Sequence, residues 1–126
     1  AKKNYTAQIF GNKYLTKDGT CIRDYIHVSD LAKAHLLGLE KIQKANKNLF
    51  LNLGSGKGYS VLEIIKACER VVNRKVKYKI VDKREGDPSI LVAESKKARS
   101  ELKWEPLFDD IDKIVETAWK FHKYYE

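Results

Sequence analysis

The chain has 126 residues, 43% of them hydrophobic, which suits one globular unit with one core. Its 25 Lys and Arg against 17 Asp and Glu give a formal net charge of +8, a balance that suits an anionic partner: a nucleotide, a nucleic acid or a membrane surface. No apolar run approaches the ~20 residues of a membrane span, and "AKKNYTAQIF" has no apolar stretch behind its lysines to make a signal peptide.

Residues 7–10 (AQIF) read as a short extended segment, as does the β-branched and aromatic run at 20–28 (TCIRDYIHV). Between them lie the turn formers Gly11, Asn12, Asp18 and Gly19. A first helix is expected from Ser29 or Asp30, either able to cap it, to about Lys44, with Leu31, Ala34, Gly38 and Ile42 at helical spacing. Residues 49–53 are expected as a strand. Ser60 and Glu63 form a capping box for a second helix, whose apolar face is Val61, Ile64, Ile65, Cys68 and Val72. Residues 76–81 alternate as a strand, "DKREGDPS" is a loop broken by Gly86 and Pro88, and 90–93 are a short extended piece. A third helix covers about 95–103 and ends at Trp104 and Pro106. A fourth starts near Asp109 or Asp110, acids suited to a positive helix end, with Ile111, Ile114, Val115, Ala118, Trp119 and His122 on its face. The fold class is α/β: a small mixed domain, residues 1–126, of about four helices and several short strands. It lacks the regular alternation of a complete doubly wound domain.

The lysines are spread along the chain, and the longest basic runs are pairs such as Lys2 with Lys3 and Lys96 with Lys97. That distribution suits exposed helix faces, not a basic tail. Methionine is absent even at position 1, so the start is expected to be a cut inside a longer protein. Cys21 and Cys68 are too few and too far apart for a disulfide framework and read as free thiols of a cytoplasmic protein. His27, His35 and His122 have no metal-ligand spacing, and no metal is expected.

The stretch "NLGSGKGYSVLEI" invites a dinucleotide reading, because spaced glycines before a helix permit close approach of a pyrophosphate. Its spacing is G-x-G-x-G where G-x-G-x-x-G is required, and Lys57 has no Walker frame around it. Ser60 and Glu63 already satisfy free donors at that helix end. Asp82 does stand 24 residues beyond Gly58, near the distance of a ribose-binding acid. The stretch is read as a capped strand-to-helix turn.

Two arginine-bearing segments hold more chemistry. In "IRDYIHV", strand alternation puts Arg23, Tyr25 and His27 on one side and Asp24 and Ile26 on the other. A guanidinium and a ring in one cleft suit a phosphate with a base or ribose. In "KREGDPS", Arg84 and Asp87 flank Gly86: the guanidinium suits bidentate phosphate contacts and the carboxylate suits vicinal hydroxyls. A surface salt bridge within each segment is the simpler alternative. His27 reads as a hydrogen-bonded core residue, not a catalytic base.

Together "FGNKYLTKDGTCIRDYIHVSDLAKAH", "NLGSGKGYSVLEII" and "REGDPSILVAESKKARSELKWEP" resemble the carboxyl-terminal part of the UDP-glucose 4-epimerases, in the extended short-chain dehydrogenase/reductase superfamily. The resemblance implies a two-part enzyme of galactose metabolism. A Rossmann domain holds NAD, a smaller domain holds the UDP moiety, and UDP-glucose and UDP-galactose interconvert through oxidation and re-reduction at the sugar C4. It implies that Arg23 and Arg84 bind the UDP phosphates, Asp87 the ribose hydroxyls, Phe10 the uracil pocket and Tyr25 a place close to the uridine. Leu91 falls where the family limits room for the sugar C2 substituent. The full-length protein is expected to be a homodimer, with neither nucleic acid nor membrane as partner. Neither the Tyr-x-x-x-Lys of the family's general base nor its G-x-x-G-x-x-G occurs here. The chain alone is therefore expected to be inactive and to carry no catalytic or cofactor-binding residue of its own. The alternatives are another nucleotide-sugar epimerase or decarboxylase of the superfamily and, in a different class, a basic nucleic-acid-binding module. The latter lacks interleaved arginines and aromatics.

Overall fold

A computed structural model describes residues 6–125; the Lys2–Lys3 pair lies outside them. The chain order is β1 (Ala7–Phe10), β2 (Ile22–Asp24), α1 (Val28–Ala45), β3 (Gly58–Ser60), α2 (Val61–Val72), β4 (Tyr78–Val81), β5 (Ile90–Leu91), α3 (Lys96–Leu102) and α4 (Ile111–Tyr125). This is a small mixed α/β unit. β1 pairs with β4 in parallel, Ala7 opposite Tyr78. A second sheet has the order β3-β2-β5, antiparallel between β2 and β3 and parallel between β2 and β5. Two of the three strand pairs are thus parallel, and each of these joins segments far apart in sequence.

The core forms where α1 and α3 meet. Ala34, Ala98, Leu102 and Trp104 are buried together, with Ile26, Leu37, Leu49, Leu51 and Leu53 packed against them. Trp104 is 0% exposed, so its indole N–H needs a partner inside the protein. It donates to the Asp30 carbonyl at 3.0 Å. The Asp30 carboxylate, itself buried, accepts from the Leu107 and Phe108 amides, both at 2.9 Å. α4 packs on α2, bridged at the surface by Arg70, whose Nε donates to Asp112 Oδ2 at 2.9 Å.

The capping box of α2 is present in full: Ser60 Oγ accepts from the Glu63 amide at 3.1 Å, and Glu63 Oε2 accepts from the Ser60 amide at 2.8 Å. The start of α1 differs from expectation. Neither Ser29 nor Asp30 caps it. His27 does, its Nδ1 accepting from the Ser29 amide at 3.0 Å. Asp30 is drawn away by the 107–108 amides, and a ring nitrogen two residues ahead of Ser29 takes its place. Buried His27 also bonds Thr117 Oγ1 through Nε2 at 2.9 Å and stacks on Phe108, the place of a core residue.

Residues 49–53 are not a strand. Leu49, Leu51 and Leu53 alternate inward, as the pattern requires, but no ladder pairs them among the described residues. Apolar alternation reports one buried face and says nothing of backbone partners. The strand beside the glycines is instead β3, which begins at Gly58 itself. β2 likewise ends at Asp24, so the alternation that put Arg23, Tyr25 and His27 on one face stops before Tyr25. The face expected on α4 is inward at Ile111, Ile114, Val115 and Trp119, while Ala118 and His122 are exposed. Among the described residues no helix is long and apolar enough to cross a membrane, and no cluster of three metal-ligating side chains occurs.

Candidate functional site

β1 is anchored by Ile9, which is 1% exposed and fills the core side. Strand alternation then turns Gln8 and Phe10 the other way. There they meet Cys21, just ahead of β2, Arg23 from β2, Val61 at the start of α2, and Arg84 and Asp87 from the β4–β5 loop. These seven residues line a cleft of ≈ 260 Å³. The loop is tied to β2 by the Ile22 amide, which donates to the Ser89 carbonyl at 2.8 Å.

Within the cleft the Arg23 guanidinium donates to Asp87 Oδ1 at 3.1 Å and to the Ile22 carbonyl at 2.7 Å. The Arg84 guanidinium lies 3.8 Å from the centroid of the Phe10 ring, within cation–π range. Two guanidiniums thus face one carboxylate, so the cleft keeps a net positive charge. Arg23 and Asp87 pair across the two segments, where the sequence offered salt bridges within each segment.

Four of the six residues expected at a nucleotide site, Phe10, Arg23, Arg84 and Asp87, come together here. Tyr25 and Leu91 do not line the cleft. Tyr25 is half-buried, and burial pushes its phenol above the usual range, partly opposed by the charge of Arg23. Leu91 stands opposite Arg23 in the β2–β5 register but is 60% exposed. Gln8, Cys21 and Val61 were missed. Gln8 could have been found from its i, i+2 relation to Phe10; Cys21 and Val61 are brought together by a long-range backbone bond, the Val61 amide donating to the Cys21 carbonyl at 3.1 Å.

A larger cavity of ≈ 540 Å³ is lined by Gly11, Asn12, Lys13, Tyr14, Ile80, Val81, Asp82 and Lys83. These residues directly follow Phe10 and directly precede Arg84. The Tyr14 hydroxyl is shielded from solvent and has no hydrogen-bond partner among the described residues. It lies against the Cys21 thiol, which, ahead of burial, pushes its pKa up. A thiol is only a weak partner, so the hydroxyl is in effect unsatisfied.

The glycine turn does not fit a pyrophosphate. Its amides are already taken: those of Ser55 and Gly56 donate to the Asp24 carboxylate at 2.9 and 3.0 Å, and the helix end behind them is closed by the capping box. An anion there would also meet the charge of Asp24. Gly54 and Gly58 answer to close packing: a Cβ at Gly54 would stand 2.4 Å from Asp24 Oδ2, and one at Gly58 would stand 2.5 Å from Ile22 Cγ2; Gly56 answers to its backbone, at φ +77°.

A model of the NAD dependent epimerase/dehydratase family matches residues 2–54. The UDP-glucose 4-epimerase of Lacticaseibacillus casei is 50% identical over 116 residues, 92% of this chain and 35% of that protein. The chain is homologous to UDP-glucose 4-epimerases. It spans about a third of the length of the curated relatives it matches. Among solved structures, the UDP-glucose 4-epimerase from Bifidobacterium longum in complex with NAD+ and UDP superposes with a TM-score of 0.88 at 39% identity, covering 98% of this chain and 36% of that one. The UDP-glucose 4-epimerase from Stenotrophomonas maltophila with bound NAD and formylated UDP-arabinopyranose gives 0.88 and 39%, covering 95% and 35%.

One expectation is corrected by these findings. The resemblance had implied that the whole chain is the carboxyl-terminal part of a UDP-glucose 4-epimerase, set apart from the NAD-dependent unit. The NAD dependent epimerase/dehydratase model aligns with the first part of this chain, residues 2–54, and the carboxyl-terminal assignment does not stand.

Proposed function

We propose that this chain is a UDP-sugar-binding unit of a UDP-glucose 4-epimerase, with the cleft of Phe10, Arg23, Arg84 and Asp87 taking the UDP moiety. The observation that carries the reading is the convergence of two guanidiniums, a carboxylate and a ring from three separate segments into one cleft. A diphosphate carries charge that two guanidiniums meet with strong, directional bonds. The Phe10 ring offers a flat apolar face to a base, and Asp87 offers two acceptors to ribose hydroxyls. Tyr25 would lie close to the uridine, and Leu91, paired with Arg23 from β5, would stand near the sugar C2 substituent, both outside the cleft lining.

The complete enzyme would interconvert UDP-glucose and UDP-galactose with NAD. The relatives' structures in complex with NAD support the cofactor for the complete enzyme. The occupied amides of the glycine turn argue that NAD is held outside that turn. The chain by itself, lacking Tyr-x-x-x-Lys, is expected to bind without epimerising.

Titration with UDP followed by NMR tests the reading. Shifts are expected at Phe10, Arg23, Arg84 and Asp87. Arg84→Ala should weaken binding about tenfold or more, the cost of one charge-assisted hydrogen bond. Shifts confined to residues far from positions 10, 23, 84 and 87 would overturn it.

A further inference from the structure

We propose that Asp24 is the positioning residue of this cleft: by gathering the glycine turn and the chain beyond β5 onto one carboxylate, it holds Arg23 in its working place. The inference rests on the UDP reading only for the identity of the ligand; the geometry stands apart from it.

The strands that carry Arg23 are very short. β2 has three residues, β3 three and β5 two. Ladders of this length fix register weakly, and a slip of one residue on β2 would send Arg23 to the opposite face. Asp24, the next residue, supplies what the ladders lack. Its Oδ1 accepts from the Ser55 amide at 2.9 Å and the Ser55 hydroxyl at 2.7 Å; its Oδ2 accepts from the Gly56 amide at 3.0 Å and the Ala93 amide at 3.3 Å. Three of the four donors are backbone groups that β3 and β5 leave outside their ladders. One side chain therefore joins β2 to the flank of each neighbouring strand.

The fit leaves little slack. A Cβ at Gly54 would stand 2.4 Å from Asp24 Oδ2 and 2.5 Å from Ala93 Cβ. From the far side Arg99 Nη2 donates to the Ser55 carbonyl at 3.2 Å, holding the turn against the carboxylate. Asp24 and Arg23 are adjacent on one strand and point to opposite faces. With Asp24 fixed by four bonds, the Arg23 guanidinium is delivered to Asp87 and the cleft. A merely structural role would stabilise the fold without deciding where Arg23 sits.

The test compares Asp24→Asn with Ile111→Ala, a truncation of a buried residue on α4 that is not part of the cleft lining. Each is measured for thermal stability, for UDP affinity and for the Nε–H NMR signal of Arg23 in the ligand-free protein. An asparagine cannot keep all four bonds, because its amide nitrogen must face either the Ser55 or the Gly56 and Ala93 donors. Asp24→Asn is expected to bind UDP about tenfold more weakly and to lose the dispersed Arg23 signal; Ile111→Ala is expected to keep both despite lower stability. Ser55→Ala, which removes one donor only, gives a smaller loss and serves if Asp24→Asn fails to fold. An ordered Arg23 signal with unchanged affinity in Asp24→Asn overturns the proposal, as does an equal loss in Ile111→Ala. If the unaltered protein binds no UDP, the reading of the ligand fails, while the Arg23 signal still decides the role of Asp24.

Discussion

Arg23 meets Asp87 before any ligand does. The pair is only partly exposed, at 22% and 29% of its side-chain surface, so on the proposed reading an incoming diphosphate would have to compete with a carboxylate already in place. Arg84, stacked on Phe10, carries no such tie among the described residues and would be the readier phosphate contact. A different residue limits stability. Among the described residues the buried Tyr14 hydroxyl has no partner better than the weak Cys21 thiol, and an unsatisfied buried polar group costs roughly 1–3 kcal/mol. Tyr14→Phe is therefore expected to leave the melting temperature unchanged or raise it. A clear fall in calorimetry would mean that the hydroxyl has a partner in solution.

Single residues were legible in the sequence where the side chain itself is the signal: Arg23, Arg84 and Asp87 stand out by type and by nearby turn formers, and the structure brings them into one cleft. Asp24 was equally visible but unread, because its partners are backbone amides, which leave no mark in a sequence. Asp30 failed for the same reason: its local capping signal was sound, but amides at 107 and 108, far along the chain, took the carboxylate. Leu91, placed by resemblance alone, lies outside the cleft lining, as does Tyr25, whose strand alternation with Arg23 fails because β2 ends at Asp24.

At the scale of elements, α2 was the most legible because its signals are local. Ser-x-x-Glu needs only four consecutive residues to close, and it closes. The structure adds a second layer: Ser60 Oγ also donates to Asp18 Oδ2, and Lys17 bonds Glu63. Ser60→Ala removes the cap and strands Asp18 without one of its donors. It is expected to cost about 0.5–2 kcal/mol, read as a lower midpoint in chemical denaturation with an unchanged slope. An unchanged midpoint would mean that Asp18 and Glu63 re-form the cap through water. The strand at 49–53 was the least legible element. Its leucines alternate in burial as a strand would, yet whether a strand forms depends on a partner, and that is a fact about the rest of the fold.

Over the whole molecule, the two carboxylates at the start of α2 give stability a predictable pH dependence. Burial acts to raise the Asp18 carboxyl, but bonds from Ser60 and Thr20 outweigh it and leave it below the usual range. Lys17, then the Ser60 amide, lower Glu63. On α4, Lys120 and Lys113 hold Glu116 down to about 2. Groups depressed in the folded state stabilise it above their unfolded values, near 4, and that contribution is lost as pH falls through the folded values. The melting temperature is expected to hold at mildly acidic pH and to drop below about pH 4, with a shallower drop in Ser60→Ala because Asp18 is then less depressed. A melting temperature that is flat across this range would show that the unfolded chain depresses the same groups.

The two parallel strand pairs, β1 with β4 and β2 with β5, also set an order of events during synthesis. Ala7 has no partner until Tyr78 exists, and Ile22 waits for Ile90. α1 and α2 can coil as soon as they emerge, on the microsecond scale of local structure. Both parallel pairs must close long loops first, and such non-local closure slows folding. On a ribosome the arginine of β2 would therefore be made early and completed late. The cleft is assembled only when the segment bearing Arg84 and Asp87 arrives, so an emerging chain lacks this cleft until that segment has been translated.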